Sequence, residues 1–230
     1  MKKIKIYSEA AYLPAIIIMA LSVSMTAAAD FGVSMIVAPA YIISLKVPFL
    51  TFGQSEYIVQ ALLFIAFCLA MKRFKPIYLA SFVTGLIYGA VLDLWRLIVP
   101  GLNPNITAPG SMSLPHRLVL LIGGMVLTSF AVALFFKVYI YPQIYDLFVK
   151  GIAEKYKLPI TKFKLIYDGA SLVLSLVLSL ILFGRFNGIG LGTILMTCCN
   201  GFIIGFFGKA LDKFFLFEPA FKKFSKLFEL

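Results

Sequence analysis

A chain of 230 residues that is 61% hydrophobic and only 13% charged, with a mean hydropathy of +0.98, lies far from soluble domains, which average about 45–50% apolar and about 25% charged. Soluble enzymes and nucleic-acid-binding modules are excluded on that ground, and the net charge of +11 has to be read from where the basic residues fall. A bilayer core of roughly 30 Å takes about 20 apolar residues per helix, so the chain has room for about six crossings and no soluble domain.

The N-terminus carries Lys2, Lys3 and Lys5, an apolar run over Ala10–Ala29, and Ala27-Ala28-Ala29 before Asp30, a pattern that imitates a cleaved signal peptide. We read it as an uncleaved first span. The apolar, 14-residue stretch Gly32–Leu45 is too short to cross and too greasy for water, which predicts a re-entrant or interfacial segment kinked at Pro39. Tyr57–Met71 is a short second span that Phe49–Ser55 can extend, and Pro76–Val99 is the third. The proline-rich loop 100–115 leads to a fourth span, Leu118–Phe136. Tyr141–Lys157 places Ile144, Leu147, Phe148 and Ile152 on one helical face, as an amphipathic helix along the membrane surface would. Leu165–Phe183 and Ile189–Phe207 complete six spans, and residues 211–230 mix phenylalanines with Lys213, Lys222, Lys223 and Lys226, the pattern of a broken interfacial helix on anionic lipid.

With the N-terminus inside, every basic residue except Lys46, Arg96, Arg117 and Arg185 falls in an inside segment. The bias places both termini in the cytoplasm, as expected of a bacterial inner-membrane protein, and supports an even number of spans. Cys68, Cys198 and Cys199 lie in apolar runs without metal-ligand spacing and read as core residues, with no metal or cofactor implied.

The two halves resemble each other. Lys46-Val47-Pro48-Phe49-Leu50-Thr51 matches Lys157-Leu158-Pro159-Ile160-Thr161 with one gap, and the same offset lays Ser34–Leu45 over Tyr145–Tyr156. Gly85-Leu86-Ile87-Tyr88-Gly89 matches Gly201-Phe202-Ile203-Ile204-Gly205. Three spans per copy is odd, so the second copy enters the membrane inverted. The fold expected is an all-α polytopic membrane protein, a 3+3 inverted repeat with residues 1–112 and 113–210 as the copies, an arrangement common in secondary transporters.

Gly85, Gly89, Gly201 and Gly205 form two Gly-x-x-x-Gly pairs suited to close helix packing. Gly188-Ile189-Gly190-Leu191-Gly192-Thr193 lacks the Lys-Ser/Thr ending of a nucleotide loop and reads as a non-helical mouth to the last span. Ionisable groups within spans are costly and mark function. Asp93 and Arg96, three residues apart around the interfacial anchor Trp95, read as a pair; Asp168 lies one turn into the fifth span, and Asn200 is the polar group deepest in the sixth. Thr84, Tyr88 and Thr193 join these as candidate substrate-binding or gating residues. The single histidine, His116, lies in an outer loop, no catalytic constellation can be assembled, and no enzyme is expected.

Phe31-Gly32-Val33-Ser34 with Pro39, Gly190-Leu191-Gly192-Thr193, and Asn200-Gly201 followed by Gly205-Phe206-Phe207 together resemble the YitT/YczE type of bacterial membrane protein. The resemblance implies a six-span fold and transport of an unnamed small molecule. The expected partners are membrane lipids, a small-molecule substrate, and either a second copy or the ATPase and scaffold of an energy-coupling-factor transporter, docked through Ala20, Ser24 and Ala28; a non-transporting accessory or lipid-handling role is the third alternative.

Overall fold

The computed structural model describes residues 3–108 and 110–228. It is built almost wholly of helices: α1 (Ser8–Ala29), α2 (Ala38–Lys46), α3 (Phe52–Met71), α4 (Leu79–Ile98), α5 (Leu114–Phe135), α6 (Ile144–Lys155), α7 (Ile160–Phe183), α8 (Leu191–Phe214) and the one-turn α9 (Lys222–Ser225). Six of them are long and apolar enough to cross a membrane, and the protein is an integral, multi-pass one. The second span begins at Phe52, since Thr51 and Gln54 close a reciprocal capping box that starts α3 a turn before the purely apolar run.

α1 and α5 pack along each other at the centre, with α4 against α1 and α8 against α5. Small residues permit this close approach: Ala15, Ala20 and Ser24 of α1 are fully buried, and a Cβ on Gly124 of α5 would lie 2.8 Å from the Ser22 carbonyl oxygen. The alanines that imitate a cleavage site are therefore core, and Arg117 Nε donates to the Ala29 carbonyl at 2.8 Å. Trp95, expected as an interfacial anchor, instead donates Nε1–H to the Ile17 carbonyl at 3.2 Å and ties α4 to α1.

The two short helices are packed rather than laid on a surface. α2 sits against α3 and α7, with Ala38, Ala40 and Ile42 fully buried, and Pro39 occupies its first turn instead of kinking it, a position where the missing N–H costs nothing. α6 buries Ile144, Tyr145, Leu147, Val149, Ile152 and Ala153 against α3 and α7, so the expected surface helix is an internal one. Gly151 lets it approach Phe67, and Lys155 Nζ reaches the Ala70 carbonyl at the end of α3. Successive crossings alternate in direction, so α2, following α1, and α6, following α5, enter from opposite sides.

The tail expected as a broken helix over 211–230 is interrupted as far as Phe228, the last described residue, with helical turns resuming over 222–228, but the interruption is a strand. α8 runs on to Phe214, and β2 (Phe215–Glu218) pairs in parallel with β1 (Ile4–Tyr7), Ile4 opposite Phe215 and Tyr7 opposite Glu218. The β-branched and aromatic composition of both segments suits a strand, and Lys5 Nζ lies 3.4 Å from Glu218.

One asymmetry bears on the site. α3 packs along α4, whereas α7 packs on α2 and α6 and scarcely meets α8. The second Gly-x-x-x-Gly pair is accordingly not a packing motif within this chain: a Cβ at Gly201 or Gly205 would meet nothing within 4 Å, while one at Gly85 or Gly89 would collide with Gln60 or Tyr57. Cys198, expected in the core, is exposed on the same helix.

Candidate functional site

A cavity of about 270 Å³ lies at the middle of the bundle, walled by α1, α4, α5, α6, α7, α8 and the segment leading into α2. Two helix N-termini reach it from opposite sides. Ser34–Val37 line it immediately before α2, and Pro142 and Gln143 line it immediately before α6. Chain that leaves a helix inside a bilayer exposes backbone donors and acceptors, and such segments are tolerated only where protein buries them or they line a water-filled cavity. A helix N-terminus also presents free N–H groups and the positive end of a dipole. α2 carries no acidic residue in its first turn, whereas α6 carries Asp146.

Polar side chains converge on this space. Among the described residues, the fully buried Tyr88 has no partner for its hydroxyl, the buried Asn200 Oδ1 accepts no hydrogen bond, and the amide of Gln143, only 7% exposed, makes none. Thr128 and Thr197 line the wall, the first donating to Ser22 Oγ at 2.8 Å and the second to the Thr193 carbonyl at 2.7 Å. At one rim Asp146, Lys164 and Asp168 come together, with Lys164 Nζ 3.5 Å from Asp168. Burial raises the carboxyl of Asp146 above the usual range; Lys164 opposes that shift and Asp168 adds to it.

Next to the cavity wall lies a group that sequence reasoning missed. Glu56 of α3 is fully buried, its Oε2 accepting from Gln60 Nε2 at 3.0 Å and from the Tyr145 hydroxyl at 2.8 Å. Burial first, and then the carboxylate, push the Tyr145 phenol well above its ordinary value, so it stays a donor. Glu56 and Gln60 are detectable in the sequence as an i, i+4 polar pair once the second span is extended through Phe49–Ser55.

The predicted residues divide into two groups. Tyr88, Asp168 and Asn200 meet at the central cavity. Thr84, Asp93, Arg96 and Thr193 do not. Thr84 Oγ1 shares 2.5 Å with the Tyr12 hydroxyl and donates to the Tyr141 carbonyl, fixing the extended segment before α6. Asp93 forms no ion pair with Arg96: its oxygens accept from Thr51 Oγ1 and from the Gly53 amide, so it caps α3. Arg96 lies over the Phe52 ring, 5.4 Å from its centroid, beside a second pocket that Asp93 also lines. Thr193 donates to the Val33 carbonyl at 2.7 Å, and Gly192 N to the Phe31 carbonyl at 2.7 Å. The Phe31-Gly32-Val33 and Gly190-Leu191-Gly192-Thr193 stretches thus dock on each other, close enough that a Cβ on Gly32 would lie 2.4 Å from Gly190 N. They hold the mouth of α8 and shape the cavity's edge.

Among the described residues no cluster of three or more metal-ligating side chains occurs. No curated protein and no solved structure matches the chain. A family model does match, over residues 6–209, and the chain belongs to that family, DUF6198, a family of unknown function.

Proposed function

We propose that the chain is a secondary-type carrier that moves a small molecule across the bacterial inner membrane by alternately exposing the central cavity. The observation that carries this reading is the meeting, at one cavity, of the N-termini of two short helices that enter from opposite sides. Interrupted helices ending at a mid-bundle site are what carriers built from inverted repeats use to bind solutes. The packing supports residues 1–112 and 113–210 as the copies: α2 of the first half lies against α7 of the second, and α6 of the second against α3 of the first. The cavity is slightly below the roughly 300–1,000 Å³ of pockets for drug-sized ligands, which favours a small metabolite. A YitT/YczE-like transport role is consistent with this reading, as is a cytoplasmic location for both basic termini.

An ATPase-dependent binding component fits less well, because Ala20, Ser24 and Ala28, the small-residue face suited to scaffold docking, are buried inside the bundle. Mass spectrometry of protein purified in mild detergent, followed by uptake of any co-purifying metabolite into liposomes holding this protein alone, tests the proposal. Saturable uptake is the expected result. Uptake only after addition of an ATPase and scaffold, or none for any recovered compound, would overturn it.

A further inference from the structure

Glu56 lies in a span, fully buried, and among the described residues no lysine, arginine or histidine pairs with it. An ionised carboxylate in that setting costs far more than its hydrogen bonds return, unless it is paired or gives up its charge. The hydrogen-bond pattern carries the same message. Oε2 has two donors, Gln60 Nε2 and the Tyr145 hydroxyl, while Oε1 has none; Gln60 Oε1 and the Tyr88 hydroxyl are buried beside this group, also without partners. Buried polar atoms in folded proteins are nearly always satisfied, and a proton on Glu56 Oε1 supplies the missing donor and removes the charge together.

Of the groups around it, Tyr145 both hydrogen-bonds the carboxyl and lines the cavity. On α4, Asp93 is engaged with Thr51 and Gly53, Arg96 lies over Phe52, and Tyr88 faces both the carboxyl and the cavity. On α2, Tyr41 packs its ring on Phe52 and donates to the Ala27 carbonyl. On α7, Tyr167 lies within electrostatic range of Glu56, its ring packed on Phe148 of α6. On α6, Tyr145 alone both bonds the carboxyl and lines the cavity.

We propose that Glu56 is a proton-binding site that exchanges with the central cavity through Tyr145, and that it couples the carrier to the proton gradient. A proton reaching Tyr145 Oη from cavity water releases the phenol's own proton to Glu56 Oε2, and a half-turn of the carboxyl then exchanges its two oxygens and leaves that proton at the position of Oε1; the phenol is neutral before and after, and the carboxylate becomes the acid. The reverse hop returns the proton to water. The coupling half of this inference rests on the carrier reading, whereas the proton site itself does not.

The test uses the full chain in lipid nanodiscs and in liposomes, with the proton as probe. Infrared difference spectra of the wild type against Glu56→Gln read the carbonyl stretch of a protonated carboxylic acid, which carboxylates lack. A band is expected at neutral pH that shifts in D2O, is absent from Glu56→Gln, persists in Asp146→Asn and Asp168→Asn, and shifts in D2O markedly more slowly in Tyr145→Phe. An absent band, or one that never exchanges, overturns the proposal. Dicyclohexylcarbodiimide, which adds across protonated carboxyls in apolar surroundings, requires no variant: peptide mapping of the wild type should find the adduct on Glu56 at neutral pH and less of it at alkaline pH, and labelling that spares Glu56 overturns the site. In liposomes containing a pH-sensitive dye and offered a cell-derived metabolite mixture, the wild type should couple uptake to proton movement, and Glu56→Gln should lose the pH-gradient dependence. Uptake with an unaltered gradient response in Glu56→Gln removes the coupling and keeps the carrier. No uptake by the wild type, with Glu56 labelled and its band present, removes the carrier and keeps the proton site.

Discussion

The two Gly-x-x-x-Gly pairs give the structure its sharpest internal control, because the same motif meets opposite surroundings in the two halves. A Cβ at Gly85 would lie 2.0 Å from Gln60 Oε1, and one at Gly89 would lie 2.3 Å from Tyr57 Cε1 and 2.9 Å from the Gly53 carbonyl oxygen. Gln60 cannot simply swing away, since its amide holds Glu56. Overpacking of this kind costs about 1–3 kcal/mol per site, against which alanine returns about 0.8–1 kcal/mol of helix propensity. The double variant Gly85→Ala/Gly89→Ala should therefore lose up to about 4 kcal/mol net, the severity of both clashes placing it in the upper part of that range, and at about 2–4 °C per kcal/mol its apparent melting temperature should fall by several degrees. Gly201→Ala/Gly205→Ala meets open space, retains only the propensity gain, and should be unchanged or slightly stabilised. Heating each variant in the same detergent and measuring the monodisperse fraction by size-exclusion chromatography reads both. Equal losses in the two pairs would refute the reasoning, since they would mean that the Gly201/Gly205 face of α8 is packed as tightly on a neighbour as the Gly85/Gly89 face of α4 is on α3.

Four further outcomes follow from the same geometry. Gly32 holds φ +93° against the α8 mouth, so Gly32→Ala combines a left-handed penalty of about 1–2 kcal/mol with a backbone clash, and should lower melting more than Gly101→Ala, which faces open space. Arg117 donates to the Ala29 and Asp30 carbonyls while stacking 4.3 Å above the Phe31 ring; a lysine cannot fork and stack in this way, so Arg117→Lys should be destabilised nearly as much as Arg117→Gln in the same assay. The raised carboxyl of Asp146 binds a proton more tightly folded than unfolded, so it subtracts stability as pH rises through the ordinary carboxyl range and beyond. Asp146→Asn should accordingly melt above the wild type at neutral pH, with the advantage gone below about pH 4. Asn200→Leu places an apolar group at the cavity and should reduce uptake with folding intact, whereas Asp93→Asn removes the carboxylate that caps α3 and should show as a loss of about 1–2 kcal/mol in melting; the opposite split would displace the site to the Asp93 pocket.

The spans were legible because hydropathy over about 20 residues reports a property of the segment alone. Contacts between segments were not. Asp93 and Arg96 have the spacing of a helical pair, yet Thr51 and Gly53 offer Asp93 a hydroxyl and a free N-terminal amide that a neighbouring guanidinium does not displace. Tyr141–Lys157 has an amphipathic pattern, and nothing in that pattern distinguishes burial against α3 from burial in lipid. Glu56 was hidden by a boundary: the apolar run begins at Tyr57, and only the capping box at Thr51 and Gln54 brings the carboxyl inside the helix. The motifs Phe31-Gly32-Val33 and Gly190-Leu191-Gly192-Thr193 were visible as glycine-rich sequences, but their purpose lies in each other, across 160 residues of chain between Val33 and Thr193.

The position of α7 links the packing to the proposed cycle. In the first half α3 lies along α4, the glycines of α4 against Gln60 and Tyr57; in the second half the corresponding glycines of α8 are bare, and α7 is held by α2 and α6. If the halves are copies, the glycine surface that α7 would need in order to pack as α3 does on α4 is present on α8. The cavity's charged rim, Asp146 with Lys164 and Asp168, lies on α6 and α7 together, and Tyr145 reaches Glu56 from the same α6. In the proposed cycle, movement of α6 and α7 toward α8 would narrow the cavity they wall and shift the rim carboxylates together with the Tyr145 hydroxyl bonded to Glu56. A proton-coupled carrier of the kind proposed would need its closing element and its titrating group to respond to one ligand together, and α6 carries both the rim residue Asp146 and the hydroxyl bonded to Glu56.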